Sequence, residues 1–108
     1  MQVCGHNMKN GLHIQTNGVK IWYQNDQLHR LDGPAIEWAD GTKFWYQYGQ
    51  QHRLDGPAVE FTDSDKYWVV RDKNITKEVN AWFKETGFSS DYENWTEEDK
   101  TYFAVKWS

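Results

Sequence analysis

The chain has one cysteine, Cys4, in 108 residues. A single cysteine excludes an internal disulfide and suits a reducing cytosol. No apolar run approaches the length needed to span a membrane, and Met1-Gln2-Val3-Cys4-Gly5 does not read as a secretory signal. Membrane association and secretion are therefore not expected. A Lys/Arg run is also lacking, and the net charge is −4, which disfavours nucleic acid as a partner. No phosphate-binding loop, dinucleotide fingerprint, serine elbow or Cys/His nucleophile pattern occurs. An enzyme is not expected, and no cofactor is implied. Hydrophobic residues make up only 38%, but aromatics reach 17% with seven Trp, so large rings must supply much of the burial. The length is that of a single domain, 1–108, with a modest core.

The chain does contain a repeat. His29-Arg30-Leu31-Asp32-Gly33-Pro34-Ala35 returns 23 residues later as His52-Arg53-Leu54-Asp55-Gly56-Pro57-Ala58. A period in the twenties signals stacked supersecondary units. The register extends further: Lys20-Ile21-Trp22-Tyr23-Gln24 aligns with Lys43-Phe44-Trp45-Tyr46-Gln47 and with Lys66-Tyr67-Trp68-Val69-Val70. Asn17-Gly18, Asp40-Gly41 and Asp63-Ser64 mark equivalent turns. His6 lies one period before His29 but without the motif, so two good units are flanked by partial ones. Within residues 1–16, Leu12, Ile14 and Val3 are candidates for an entering strand.

The expected fold is mainly β (α+β). An antiparallel hairpin array of 23-residue period over 1–73 precedes a C-terminal segment, 74–108, of helix, acidic turn and final strand. With a two-residue turn at Asp40-Gly41, Ile36 opposes Trp45 and Trp38 lies beside them. Val59, Phe61 and Trp68 repeat that set, and this face is expected to be the main core. The other face then carries Ile21, Tyr23, Phe44, Tyr46 and Tyr67, an apolar patch that needs a cover. Thr76 is the expected N-cap of a helix Lys77–Thr86, whose Val79, Trp82 and Phe83 form an amphipathic stripe ended by Gly87. Thr96 and Asp99 suggest a capped turn, and the alternation over Tyr102–Trp107 suggests the final strand.

Residues 74–108 hold seven acids against four Lys, so −3 of the net charge lies there. The candidate partner surface is therefore Tyr23, Phe44, Tyr46 and Tyr67 together with acidic Glu97, Glu98 and Asp99. His29 and His52 with Asp32 and Asp55 could in principle act as oriented bases. A catalytic group is needed once, however, and a residue present in each unit reads as structural. Arg30 and Arg53 are read as pairing with Glu37 or Glu60 or stacking on Trp. Alternatively, His29, Arg30, His52 and Arg53 line a small-ligand site. His6, His13, His29 and His52 lack metal-ligand spacing, so no metal is expected.

Trp45-Tyr46-Gln47-Tyr48-Gly49-Gln50-Gln51-His52-Arg53-Leu54-Asp55-Gly56-Pro57-Ala58 resembles repeats in small bacteriophage proteins. Those repeats are distantly similar to MORN repeats and to YwqK-type MORN antitoxins. The preceding copy departs at Asp26, where the pattern has Gly, and the third departs at Ser64 and Val69. Val79-Asn80-Ala81-Trp82-Phe83 and Thr96-Glu97-Glu98-Asp99-Lys100 resemble tails of such phage repeats. The resemblance implies a binding platform with no catalytic residues to transfer. It also implies a phage protein acting in the host bacterial cytoplasm on a host protein such as a defence factor. A nucleotide-signal sponge, an acidic DNA mimic and an antitoxin are the alternative roles, and a homodimer through an open sheet edge is the alternative assembly.

Overall fold

A computed structural model describes residues 8–108. Val3, Cys4 and His6 lie outside the described residues. The strands are β1 (Gly11–Ile14), β2 (Lys20–Gln24), β3 (Gln27–Leu28), β4 (Ile36–Glu37), β5 (Lys43–Phe44), β6 (Tyr46–Gln47), β7 (Gln50–Gln51), β8 (Val59–Glu60), β9 (Lys66–Tyr67), β10 (Val69–Val70) and β11 (Lys73–Asn74). Helices α1 (Thr76–Thr86) and α2 (Glu97–Trp107) follow, joined through a 3₁₀ turn at Tyr92–Asn94. The main antiparallel sheet runs β1-β2-β4-β5-β8-β9, with β3 on β2, and β6-β7 and β10-β11 form separate ribbons. The fold is thus α+β and mainly β. The described part is elongated, 57 × 30 × 23 Å, with a radius of gyration of 16.0 Å. A compact chain of this length would have about 13 Å.

Two kinds of hairpin alternate. The turns after β2, β6 and β10 have two residues, Asn25-Asp26, Tyr48-Gly49 and Arg71-Asp72, all at positive φ. That is the type I′ geometry, whose twist matches the strands it joins. The other hairpins have three-residue loops. Trp38 donates its N–H to the Thr42 carbonyl at 2.9 Å, and Gly41 at φ 97° closes a turn onto the Trp38 carbonyl. Gln15–Val19 with Gly18 and Phe61–Asp65 with Ser64 repeat this arrangement.

The extra loop residue corrects the expected register. Ile36 opposes Phe44, not Trp45, and Val59 opposes Tyr67, not Trp68. A one-residue slip changes which side chains share a face. Ile21, Ile36, Phe44, Val59 and Tyr67 form one cross-strand row. Lys20, Glu37, Lys43, Glu60 and Lys66 form the adjacent row, with opposite charges facing each other at every step. Such pairs favour this register over its neighbours. The strand expected over Thr42–Tyr48 is also divided at Trp45. The Trp45 N–H bonds the Ala58 carbonyl at 2.8 Å, while its carbonyl accepts from His52 at 3.1 Å, so the chain leaves one sheet for the next ribbon there.

The main core is at the C-terminal end, not along the sheet. Trp68, Val70, Ile75, Val79, Phe83, Trp95 and Phe103 cluster there, with Leu54, Trp82, Phe88, Tyr92 and Trp107 packed against them. Trp68 is its centre, with the rings of Phe83, Tyr92, Trp95 and Phe103 at 5.1–6.0 Å. The expected final strand is instead part of α2. The capping box of Thr96 and Asp99 nucleates this helix, and Phe103 and Trp107, one turn apart, dock on Trp82. Burial of these rings overrides the strand preference of the segment. Thr76 is the first residue of α1 and not its N-cap, which is Ile75. Its hydroxyl accepts the Trp68 N–H at 2.9 Å. In the two preceding units the equivalent Trp22 and Trp45 N–H groups bond the carbonyls of Ala35 and Ala58. A side chain thus closes the backbone ladder where the repeat ends.

Thr76→Val removes that acceptor and leaves a buried N–H unpaired. The expected loss is about 1–3 kcal/mol, read from denaturant unfolding. A loss below measurement error would show that Thr76 does not close the sheet.

Candidate functional site

The two heptads build the same clamp. The Arg30 guanidinium lies 3.9 Å from the Trp22 ring centroid, bonds Asp32 at 3.0 Å and donates to the Pro34 carbonyl at 3.2 Å. Arg53 lies 3.9 Å from Trp45, bonds Asp55 at 2.8 Å and donates to the Pro57 carbonyl at 3.0 Å. It adds a bond to Glu60 at 3.3 Å. A Cβ on Gly56 would lie 2.6 Å from Arg53 Cζ, and one on Gly33 would lie 2.8 Å from Arg30 Cζ. Glycine is therefore required in each bend for the close approach of the guanidinium. The Trp stacking matches the sequence expectation at both bends, while the glutamate pairing is met at Glu60 and not at Glu37. The aspartates hold the arginines. Arg30 lowers the Asp32 pKa, through its hydrogen bond first and its charge second.

The histidines tie one unit to the next. His29 Nδ1 accepts the Tyr48 N–H and His52 Nδ1 accepts the Arg71 N–H, each at 3.0 Å. These bonds recur at the 23-residue spacing and end on type I′ turn residues. In the N-terminal unit Asn10 Oδ1 accepts the Asn25 N–H at 2.9 Å, doing the same work without an imidazole. His29 packs on Tyr48, with ring centroids 4.4 Å apart. The Nδ1 lone pair that a general base would use is thus engaged in both units.

The expected partner residues divide into separate places. Phe44 and Tyr67 share a face. Tyr23 lies further along β2, edge-on to His13 at 5.2 Å with Lys9 Nζ 5.1 Å from its ring. Tyr46 belongs to the β6-β7 ribbon, opposite Gln51. In exchange, Trp38 and Phe61, expected in the core, join the exposed face. Trp38, Phe44, Phe61 and Tyr67 touch in series at 5.9–6.0 Å, with interplanar angles of 72°, 87° and 86°. Trp38, Phe61 and Tyr67 are 42%, 39% and 38% exposed. No member of this row belongs to the cluster beneath the helices. The alternating perpendicular rings present edges as well as faces, which suits irregular apolar side chains better than stacked bases.

Glu97, Glu98 and Asp99 lie in the first turn of α2. Asp99 is the third-residue member of the capping box, its carboxylate accepting the N–H of the N-cap Thr96 at 3.0 Å. Glu97 pairs with Lys100 at 3.4 Å on the surface. Glu97 and Glu98 border an outward helix face with exposed Tyr102 and Val105. Sequence reasoning missed a groove of about 610 Å³ between the two heptad bends and α2. Leu31, Asp32 and Pro34 line one side, and Lys100, Thr101 and Ala104 line the other. It also missed Tyr92, whose hydroxyl donates to Glu60 at 2.8 Å. Burial, and then that carboxylate, push the Tyr92 pKa up. Among the described residues no group of three or more His, Cys, Asp or Glu could hold a metal ion. Among them, too, no helix is long and apolar enough to cross a membrane.

Burial, and then the Arg71 charge, lower the His52 pKa below the ordinary 6.5. The fold holds the neutral imidazole, because protonation would occupy the Nδ1 that accepts the Arg71 N–H. Stability is therefore full above about pH 6.5 and is lost as the pH falls through the lower folded value. His52→Asn keeps a backbone acceptor, as Asn10 does, without titrating. Its unfolding midpoint should fall less than that of the wild type between pH 8 and pH 5. Equal slopes for the two proteins would remove His52 as a source of the pH dependence.

No protein family, curated protein or solved structure matches the chain.

Proposed function

We propose that the chain is a non-enzymatic bacteriophage binding protein that engages a host bacterial protein, such as a defence factor, and inhibits it. The observation that carries this reading is the uncovered aromatic face of Trp38, Phe44, Phe61 and Tyr67. Its rings are held by one another and by the sheet, so little side-chain freedom is lost when a partner covers them. The row crosses four strands, β4, β5, β8 and β9, which at about 4.8 Å spacing is about 14 Å, enough for one helix or loop of a partner. Apolar surface of this kind on an otherwise polar chain marks a contact site. The repeated histidines, arginines and aspartates serve the scaffold, and the exposed rings serve the partner.

The test uses tagged wild type and a Trp38→Ser/Phe61→Ser double variant in bacterial lysate at moderate salt. Wild type should retain one host protein in stoichiometric amount and inhibit it once that protein is purified. The double variant should retain and inhibit at least tenfold less while keeping its far-ultraviolet circular dichroism. Retention of no host protein, or equal retention by both forms, would sink the proposal.

A further inference from the structure

The heptad surface occurs twice, and the chain covers only one copy. At the second bend the outer side of Arg53 faces the Tyr92 ring, 5.6 Å from its centroid, opposite Trp45. The Tyr92 hydroxyl bonds Glu60, the same carboxylate that Arg53 reaches. Leu54 packs against the C-terminal aromatic cluster. The segment 88–107 thus docks there with an aromatic hydroxyl, an apolar contact and a helix alongside.

The first bend presents the corresponding residues Trp22, Arg30, Leu31 and Glu37 one period earlier, with Arg30 bonding Asp32 and the Pro34 carbonyl and not Glu37. Arg30 stacks on Trp22 just as Arg53 stacks on Trp45. Among the described residues no second ring covers Arg30, and Leu31 is 70% exposed. The groove beside it continues the surface on which α2 already rests. Its far wall is Lys100, Thr101 and Ala104 of α2 itself. Ala104 and Thr101 are small, so a second helix could approach α2 closely across the groove.

We infer that the first heptad bend and the adjoining groove form a docking site for an amphipathic helical segment of a partner protein. The segment presents an aromatic hydroxyl to Glu37 and Arg30 and an apolar side chain to Leu31. The choice of occupant follows from continuity with the interface inside the chain, where a segment of this chemistry already covers the same residues. Leu31 has a different exposure from Leu54 because the chain supplies one such segment for two equivalent surfaces. The site is distinct from the aromatic sheet face, and the two are separable by mutation.

The probe is a labelled synthetic peptide of residues 88–107, titrated into the intact protein by fluorescence anisotropy. Saturable binding is expected. Leu31→Asp in the protein should weaken it at least tenfold, and Tyr92→Phe in the peptide should weaken it several-fold. Phe61→Ser should leave it unchanged, which separates this site from the aromatic face. Because Leu31 is exposed, Leu31→Asp should keep the wild-type melting temperature, and the milder Leu31→Ser gives a second reading. A peptide that displaced the chain's own segment from the second bend would bind Leu31→Asp and wild type alike. That result, or no saturable binding, overturns the inference.

Discussion

Each heptad depends on one guanidinium, which at the second bend is held on every side. Arg53 stacks on Trp45, bonds Asp55, the Pro57 carbonyl and Glu60, and rests against Gly56. Only a planar, permanently charged group with several donors can meet these demands together, so Lys would not replace it. The motif is thereby explained residue by residue. Arg is the strut, Asp its counter-charge, Gly the clearance and Pro the presented carbonyl. The His that precedes them extends the clamp to the next unit by accepting a backbone N–H from its type I′ turn. The repeat is consequently a chain of local clamps joined by sheet pairing and backbone hydrogen bonds, which explains an elongated shape with little apolar core along the sheet.

The sheet separates its chemistry by face. One row alternates Lys and Glu across successive strands, and the next is aliphatic and aromatic. The charged row makes a register slip costly, since slipping would place an apolar residue opposite a charge. Val59 in the apolar row is buried, but Tyr67 and the neighbouring Trp38 and Phe61 stay exposed because the helices gather at the far end around Trp68. That ring is buried among α1 and α2, while Trp22 and Trp45, its equivalents, are covered by arginine instead. The same position in three units therefore has two fates, according to whether the C-terminal segment reaches it.

Termination of the array follows the same economy of groups. A backbone carbonyl from the next unit satisfies the Trp22 and Trp45 N–H groups, and the Thr76 hydroxyl satisfies that of Trp68. The helices then cover the exposed end of the last unit. Among the described residues, the aromatic face, the first heptad bend and the outward α2 face with Tyr102 and Val105 all leave apolar side chains open to solvent.

The repeat, its turns, the α1 stripe, the Thr96–Asp99 capping box and the structural roles of Arg30 and Arg53 were legible in the sequence. Each is set by neighbours within a few residues, or by a pattern that the chain repeats. The face that ends up exposed was not legible. One additional residue in each of the Asp40-Gly41 and Asp63-Ser64 loops accompanied the move of Trp38 and Phe61 from the expected core to the surface, and turn length depends on backbone φ that the dipeptide alone does not dictate. The final strand failed for a related reason. Tyr102–Trp107 carries both a twofold and a helical pattern, and the choice fell to Phe103 and Trp107 finding Trp82 and Trp95. The sequence by itself determined the units and their internal clamps, because those interactions are local. Only the tertiary structure decided register, the end of the chain and the surface left open, because those depend on which distant rings the C-terminal segment covers.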